Sequence, residues 1–478
     1  MSHLHRRENQ ARHGARVLLA GTALALLAGC STLDRVGGFL GGGNRLQPGQ
    51  VGYVSGYLGA AVAEEPRAAL VARDSLSAGG SAADAAVAAG FALGVTLPSR
   101  AGLGGGGACL AYDPRRGATE AILFPAVAPA SGGPGGDRPA AVPLMARGLF
   151  ALHARYGRRP FEEAVVPSET LARFGVQVSR ALASDLNTVG APLLADPRAR
   201  ELFGSATAEG ARLVQPDLAG TLSQLRTAGV GDMHQGALAR RLADASVAAG
   251  GGLSAEMLRD AVPRTAAPVT LRVGFDTAAF LPPPADGGLA AAAAFQALQS
   301  GNGAAAAGRA LGVAAAARRG GGEPAALLAN PPPSGALGPL PASTALAVVD
   351  RSGAAVSCAF SVNNLFGTGR VLPGLGFLLA ARPSEPPLLS AMIVNNGNTN
   401  VFRYAGAGSG QEAAPLAVAI PAAAHLLRNA PLDQALAAVP EPGRGVAIGC
   451  PGGLPDAPQA CQAAADPRGA GLAAVGGN

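Results

Sequence analysis

The feature that most constrains this chain is the stretch from Pro341 to Val362. Ser343–Asp350 is an unbroken run of small and apolar residues, rich in Val and Leu, with the composition of a strand. Asp350-Arg-Ser-Gly353 supplies a turn, with glycine where a positive φ is easily adopted. Beyond it, Val356, Cys358, Phe360 and Val362 alternate with small residues, the period of a strand with one buried face. Together these runs predict a β-hairpin that opens on a Ser-Thr pair and closes into the glycine-rich loop Asn363–Gly369. Ahead of it lies Gly320–Pro341, a Gly/Pro-rich connection. A hydroxyl at the head of a strand, just behind a flexible connection, is placed for self-cleavage. In such self-cleavage a chain is cut in front of the hydroxyl, and the freed α-amine can then act as base for the neighbouring side chain. The same pattern also fits a surface hairpin whose first residues are Ser and Thr by chance, so the rest of the chain has to decide.

With 478 residues the chain has room for two to four ordinary domains, or one large one with a precursor segment. Apolar residues make up 49%, Trp is absent and aromatics are 4%, so the core has to be built from Ala, Leu and Val. The net charge is +6, but no dense Lys/Arg cluster interleaves with aromatics, which leaves a nucleic-acid role unsupported. Part of the excess sits in Arg6, Arg7, Arg12 and Arg16, ahead of the apolar run Val17–Leu27 and Leu27-Ala-Gly-Cys30. Small residues before a Cys at the end of such a run resemble a bacterial lipoprotein signal, with cleavage before Cys30 and lipid on its sulfur. That implies an exported protein, periplasmic or anchored to the outer membrane by acyl chains that do not span the bilayer. An ordinary secretory signal or a single apolar anchor is the alternative.

Cys109 and Cys358 sit in apolar strand-like runs and are expected to be buried packing residues. Cys450 and Cys461 flank a Gly/Pro-rich loop, and export would allow that pair to oxidise. No Cys/His pattern has zinc-ligand spacing and the six His are scattered, so no metal site is expected. Residues 31–50 read as a glycine-rich tether and Ala61–Val95 as helical material, in which Ser81 is an N-cap ahead of strong helix formers. Gly102, Gly104 and Gly107 match G-x-G-x-x-G, but here a helix precedes and a strand follows, the reverse of a dinucleotide-binding turn. No cofactor is expected.

Gly79–Ala89, the four-glycine turn Gly104–Gly107 and the strand ending at Tyr112 resemble the N-terminal signature of γ-glutamyltransferases. The likeness continues in order through Arg155–Pro160, Gln215–Leu222, Gly250–Ser254, Pro282–Gly288, Ser343–Asp350, Phe366–Gly369 and Asp466–Gly469. The resemblance implies an α+β fold, the four-layer αββα sandwich of N-terminal nucleophile hydrolases, made as one precursor and cut into a large and a small fragment. On that plan residues 1–30 are the signal, 31–50 the tether, 51–342 the large-subunit-like region with 320–341 as linker, and 343–478 the small-subunit-like region.

The resemblance also implies site residues. Ser343 takes the place of the catalytic Thr, with cleavage after Ala342, and Thr344 matches the family's second Thr. Ser361 falls where a hydroxyl supports the nucleophile, Asn363 where an Asn contacts substrate, and Ser409 and Gly410 where backbone N–H groups form an oxyanion loop. Other positions depart from the family. Pro125 stands where an Arg grips the glutamyl carboxylate, forgoing a charge-assisted bond of about 1.5–3 kcal/mol. Ala380-Ala381 and Pro387-Leu388 replace an Asn pair and a Ser pair, Ala345 a His, and only Glu385 is left to hold a substrate amine. The expectation is an amidohydrolase or acyltransferase acting on γ-glutamyl or related small amides such as glutathione-like compounds. The alternative is a catalytically degenerate member serving as an envelope binding or structural protein.

Overall fold

The computed structural model describes residues 56–129, 135–320 and 322–476. The expected signal, with Cys30, and the tether 31–50 lie outside the described residues. Two antiparallel sheets form the centre of the molecule. The first runs Leu472–Gly476, Gly59–Ala63, Thr344–Asp350, Ala355–Ser361, Gly106–Asp113, Ala118–Phe124 and Arg264–Ala266, from edge to edge. The second runs Gln462–Ala465, Arg444–Leu454, Val401–Ser409, Ser390–Asn396, Asp276–Phe280 and Val269–Val273.

Because successive strand residues point to opposite faces, each central strand contributes to two cores. Ala345, Ala347 and Val349 of the first sheet meet Ala391, Ile393, Ala405 and Ala407 of the second. On the other face, Leu346, Val348, Val356 and Phe360 join the core made with helices Ala82–Thr96 and Met145–Tyr156. Met392, Val394 and Tyr404 of the second sheet pack against helices Asp286–Gln299 and Ala414–Arg428. The result is the four-layer αββα sandwich. Among the described residues no helix is long and apolar enough to cross a membrane.

The expected hairpin is present, with Thr344–Asp350 paired to Ala355–Ser361 and Phe360 opposite Thr344. Its second strand is buried on both faces rather than one. The small residues Ala355 and Ala359 pack against the second sheet, and the Ser357 hydroxyl donates to the Gly406 carbonyl at 2.7 Å. The expected helix over Ala61–Val95 is corrected at its start. Gly59–Ala63 is a strand, and Glu65 then caps the helix Pro66–Ser77 by accepting from the Ala68 N–H at 2.9 Å. Helix Ala82–Thr96 has a full capping box, Ser81 with Asp84. The far end of the hairpin is tied to it, because Asp350 Oδ2 accepts from the Ala82 N–H at 3.2 Å. Within the stretch read as a linker, Pro324–Ala329 forms one short helix.

The glycine turn is used for close backbone contact. A Cβ on Gly104 would stand 2.0 Å from the Leu378 carbonyl oxygen, and the Ala380 N–H donates to the Gly104 carbonyl at 2.8 Å.

Cys109 and Cys358 are not simple packing residues. They face each other in register on adjacent strands, with Cα atoms 4.1 Å apart, and form a disulfide. Their separation of 249 residues hid the pairing. Cys450 and Cys461 form a second disulfide. Replacing Cys109 and Cys358 together by Ala is expected to lower unfolding stability by about 2–4 kcal/mol. Removing the short-range Cys450–Cys461 bridge should cost less, as read from denaturant melts of the three proteins.

Candidate active site

The head of the hairpin brings together most of the residues expected in the site. The register that sets Thr344 opposite Phe360 places the Ala342–Ser343 peptide beside Ser361, the last residue of the paired strand. There the Ser361 hydroxyl donates to the Ala342 carbonyl oxygen at 2.6 Å. The same Ser361 oxygen accepts from the Asn363 N–H at 2.8 Å, which fixes it and leaves its proton for Ala342. Ser343 is buried, and its hydroxyl has no hydrogen-bond partner among the described residues. The carbonyl next to a free hydroxyl is thus already polarised by a short hydrogen bond.

Asn363 holds a left-handed backbone, φ 66°, which Asn tolerates better than most residues. Its side-chain amide donates to the Ala381 carbonyl at 2.6 Å, so it pins the following loop. Phe366, φ 58°, is held in the same strained region by burial and an edge-on contact with Phe203. Beside Asn363, Ala126, Ala141, Val362 and Ala380 form a small apolar cluster. The wall where the resemblance implies a charged clamp is therefore made of methyl groups next to Pro125.

Ser409 ends a strand of the second sheet, and Gly410 follows with φ 106°. A Cβ on Gly410 would lie 2.6 Å from both Gly443 Cα and the Pro442 carbonyl oxygen. Glycine is needed there for conformation and for space. The next residue, Gln411, donates from Nε2 to the Leu340 carbonyl at 2.9 Å and so holds the chain just upstream of Ser343. Sequence reasoning missed it, since a Gln in a degraded glycine motif carries no sign of its distant partner.

Glu385 is bound elsewhere. Its carboxylate pairs with Arg318 at 2.7 Å, and Arg318 also grips Asp286 and the Pro386 carbonyl. No contact among the described residues joins Glu385 to Ser343, Ser361 or Asn363.

A second missed residue is Glu64, at the end of the strand beside the nucleophile strand, where its N–H donates to the Ala345 carbonyl at 3.2 Å. Both its carboxylate oxygens, the Thr344 hydroxyl and the Ser409 hydroxyl are buried without a hydrogen-bond partner. Burial pushes the Glu64 carboxyl up to about 7, against the pull of Arg100, the nearby Ser409 and Thr344 hydroxyls, and Arg444. Those hydroxyls lie close enough to favour the charged form, yet neither makes a well-formed hydrogen bond to it. The sequence signal was the acidic pair in Ala63-Glu-Glu-Pro66, of which only Glu65 is accounted for by helix capping.

This sandwich, with a hydroxyl at the head of a central strand, is the architecture of N-terminal nucleophile hydrolases. Residues 68–310 match the family model for gamma-glutamyltranspeptidase, and the chain belongs to that family. It is 34% identical over 205 residues to the glutathione hydrolase proenzyme of Escherichia coli, covering 39% of this chain and 35% of that protein. To glutathione hydrolase 2 of Arabidopsis thaliana it is 29% identical over 253 residues, covering 48% and 42%. The chain thus spans less than half the length of these relatives. The cephalosporin acylase of Bacillus halodurans has the same fold, with a TM-score of 0.68 at 18% identity over 91% of this chain and 99% of that one.

The raised Glu64 carboxyl gives a signed prediction. The folded state holds a proton that the unfolded chain releases above about 4.5, so the group's stabilising contribution is complete below that pH and is lost as pH rises toward 7. Glu64→Gln should remove that dependence. Its stability relative to the parent should improve between pH 4.5 and 8 by at most about 3 kcal/mol, measured by denaturant melts across that range.

Proposed function

We propose that this chain is an exported amidohydrolase or acyltransferase of the gamma-glutamyltranspeptidase family, processed by its own Ser343, that acts on γ-glutamyl or related small amides of the glutathione type. The observation that carries this reading is the 2.6 Å hydrogen bond from Ser361 to the Ala342 carbonyl. In processing, Ser343 Oγ adds to the Ala342 carbonyl carbon and its proton passes to the departing backbone nitrogen. Ser361 donates to the oxygen that gains charge. The C–N bond breaks, an ester joins Ala342 to Ser343 Oγ, and water hydrolyses it to a carboxylate, a free hydroxyl and an α-amine. That amine then sits beside the same hydroxyl, ready to take its proton in turnover.

Family membership and the names of the relatives, glutathione hydrolases, support the substrate class. The methyl-lined wall at Ala126 and Ala380 and the engagement of Glu385 with Arg318 favour amides whose acyl group needs no ionic clamp at those positions. The N-terminal segment ending in Leu27-Ala-Gly-Cys30 supports export and lipid attachment at Cys30.

The test is a reducing gel and intact mass of the purified protein beside Ser343→Ala and Ser361→Ala. Two fragments with a new N-terminus at Ser343 are expected in the parent, and one chain in Ser343→Ala. In Ser361→Ala the cut should form about 10²–10³ times more slowly, as for loss of one oxyanion donor. A single uncut chain throughout would overturn the reading and favour a catalytically degenerate binding protein.

A further inference from the structure

Where the strand Gly59–Ala63 ends, a cavity of about 220 Å³ opens on the side of Glu64, lined by residues that the proposed chemistry leaves unused. Neither Ser343 nor Ser361 lines it. Its charged residues are Glu64, Arg100, Arg180, Arg444, Asp466 and Arg468, and most of the remaining wall is glycine and alanine.

The guanidinium groups are held in place from behind. Arg100 forks onto Asp185 at 2.8 and 2.7 Å, and Arg468 onto Asp466 at 3.0 and 2.6 Å. Arg444 uses Nη1 for Glu441 and the Gly443 carbonyl, both at 2.8 Å, and Arg180 uses Nη2 for the Gly469 carbonyl. These contacts leave donors over. Arg180 and Arg444 each keep Nε and one Nη without a partner among the described residues, and Arg100 Nη1 has only the Glu64 carboxylate, at 3.9 Å. A guanidinium fixed by one partner loses little freedom when it takes a second, so these forks are preorganised for a carboxylate.

Glu64 adds the opposite requirement. Its side chain is 8% exposed, and both oxygens are buried acceptors that make no hydrogen bond among the described residues. A bare anion would satisfy the arginines and leave Glu64 unpaired and repelled. A bare cation would satisfy Glu64 and face four guanidinium groups. A molecule carrying both charges a few bonds apart answers both walls.

We propose that this cavity binds a small zwitterion, its carboxylate on the free N–H groups of Arg180 and Arg444 and its ammonium on Glu64. The volume suits it, since about 150 Å³ is enough to hold benzene. Glu64 lies near the midpoint of its titration at neutral pH, and an arriving ammonium holds it ionised. The cavity adjoins the Thr344 and Ser409 hydroxyls through Glu64 but is lined by neither Ser343 nor Ser361, and its occupancy does not depend on processing.

The test is calorimetric titration of the full chain and of its Ser343→Ala form with β-alanine and glycine, against acetate and methylammonium as the two half-ligands. At least one zwitterion should bind at least tenfold more tightly than either half-ligand, equally in both proteins. Glu64→Gln, checked for folding by its thermal melt, should weaken that binding at least tenfold, and Arg444→Gln likewise. Should Arg444→Gln fail to fold, Arg180→Gln at the cavity mouth replaces it. Absence of saturable binding by both zwitterions overturns the proposal. So does acetate binding as tightly, or a folded Glu64→Gln protein that binds like the parent. Failure of Ser343 processing alone would leave the expected binding intact.

Discussion

The strand Thr344–Asp350 is hydrogen-bonded on both sides, to Gly59–Ala63 and to Ala355–Ser361, and every one of its residues is buried. Much of the molecule follows from that central position. A strand paired on both edges cannot slide without breaking two ladders and turning its apolar residues to the wrong core. Its C-terminal end is moored by Asp350 at the start of helix Ala82–Thr96, so its N-terminal end, with Ser343, is presented at a fixed height beside Ser361. The Gln411 contact to Leu340 does the same for the chain arriving from the other direction. The scissile peptide of the proposed reaction is held from both ends rather than carried on a free loop.

Small side chains make this arrangement possible. Between the sheets the contacts are largely Ala against Ala, and helix Asp286–Gln299 buries a run of five alanines. Such cores have few large groups to lock their packing, and bulk comes from a few buried aromatics, Phe402 between the sheets and Phe280 with Phe295 of the helix. The close approach of the Gly104 turn to Leu378–Ala380 belongs to the same economy of volume. It brings the loop after the hairpin down onto the first sheet, where Asn363 fixes it.

The hairpin, its turn at Asp350–Gly353 and the Ser81 cap were legible in the sequence because each depends on neighbours a few residues apart. The order of motifs carried the fold as a whole. What could not be read depends on distance. The alternation that marks Cys358 as a strand residue is the same whether its neighbour is Cys109 or an alanine. The Ala/Ser side of that strand looked like a solvent face, since small residues suit a second sheet and open water equally well. Glu64 gave no local sign beyond an extra acid, because its unpaired state arises only when Thr344, Ser409 and Arg100 converge. Glu385 looked available because Arg318, which takes its carboxylate, lies 67 residues earlier, at the end of helix Ala306–Arg318.

The Cys109–Cys358 bridge crosses the boundary between the parts of the chain before and after Ser343. Scission of the Ala342–Ser343 peptide would therefore leave both parts joined by sulfur across the middle of a single sheet. In an oxidising compartment the two pieces would remain one covalent molecule, unable to exchange partners or be lost by dilution. The new chain end at Ser343 would then be free to move only as far as a sheet bolted shut behind it allows.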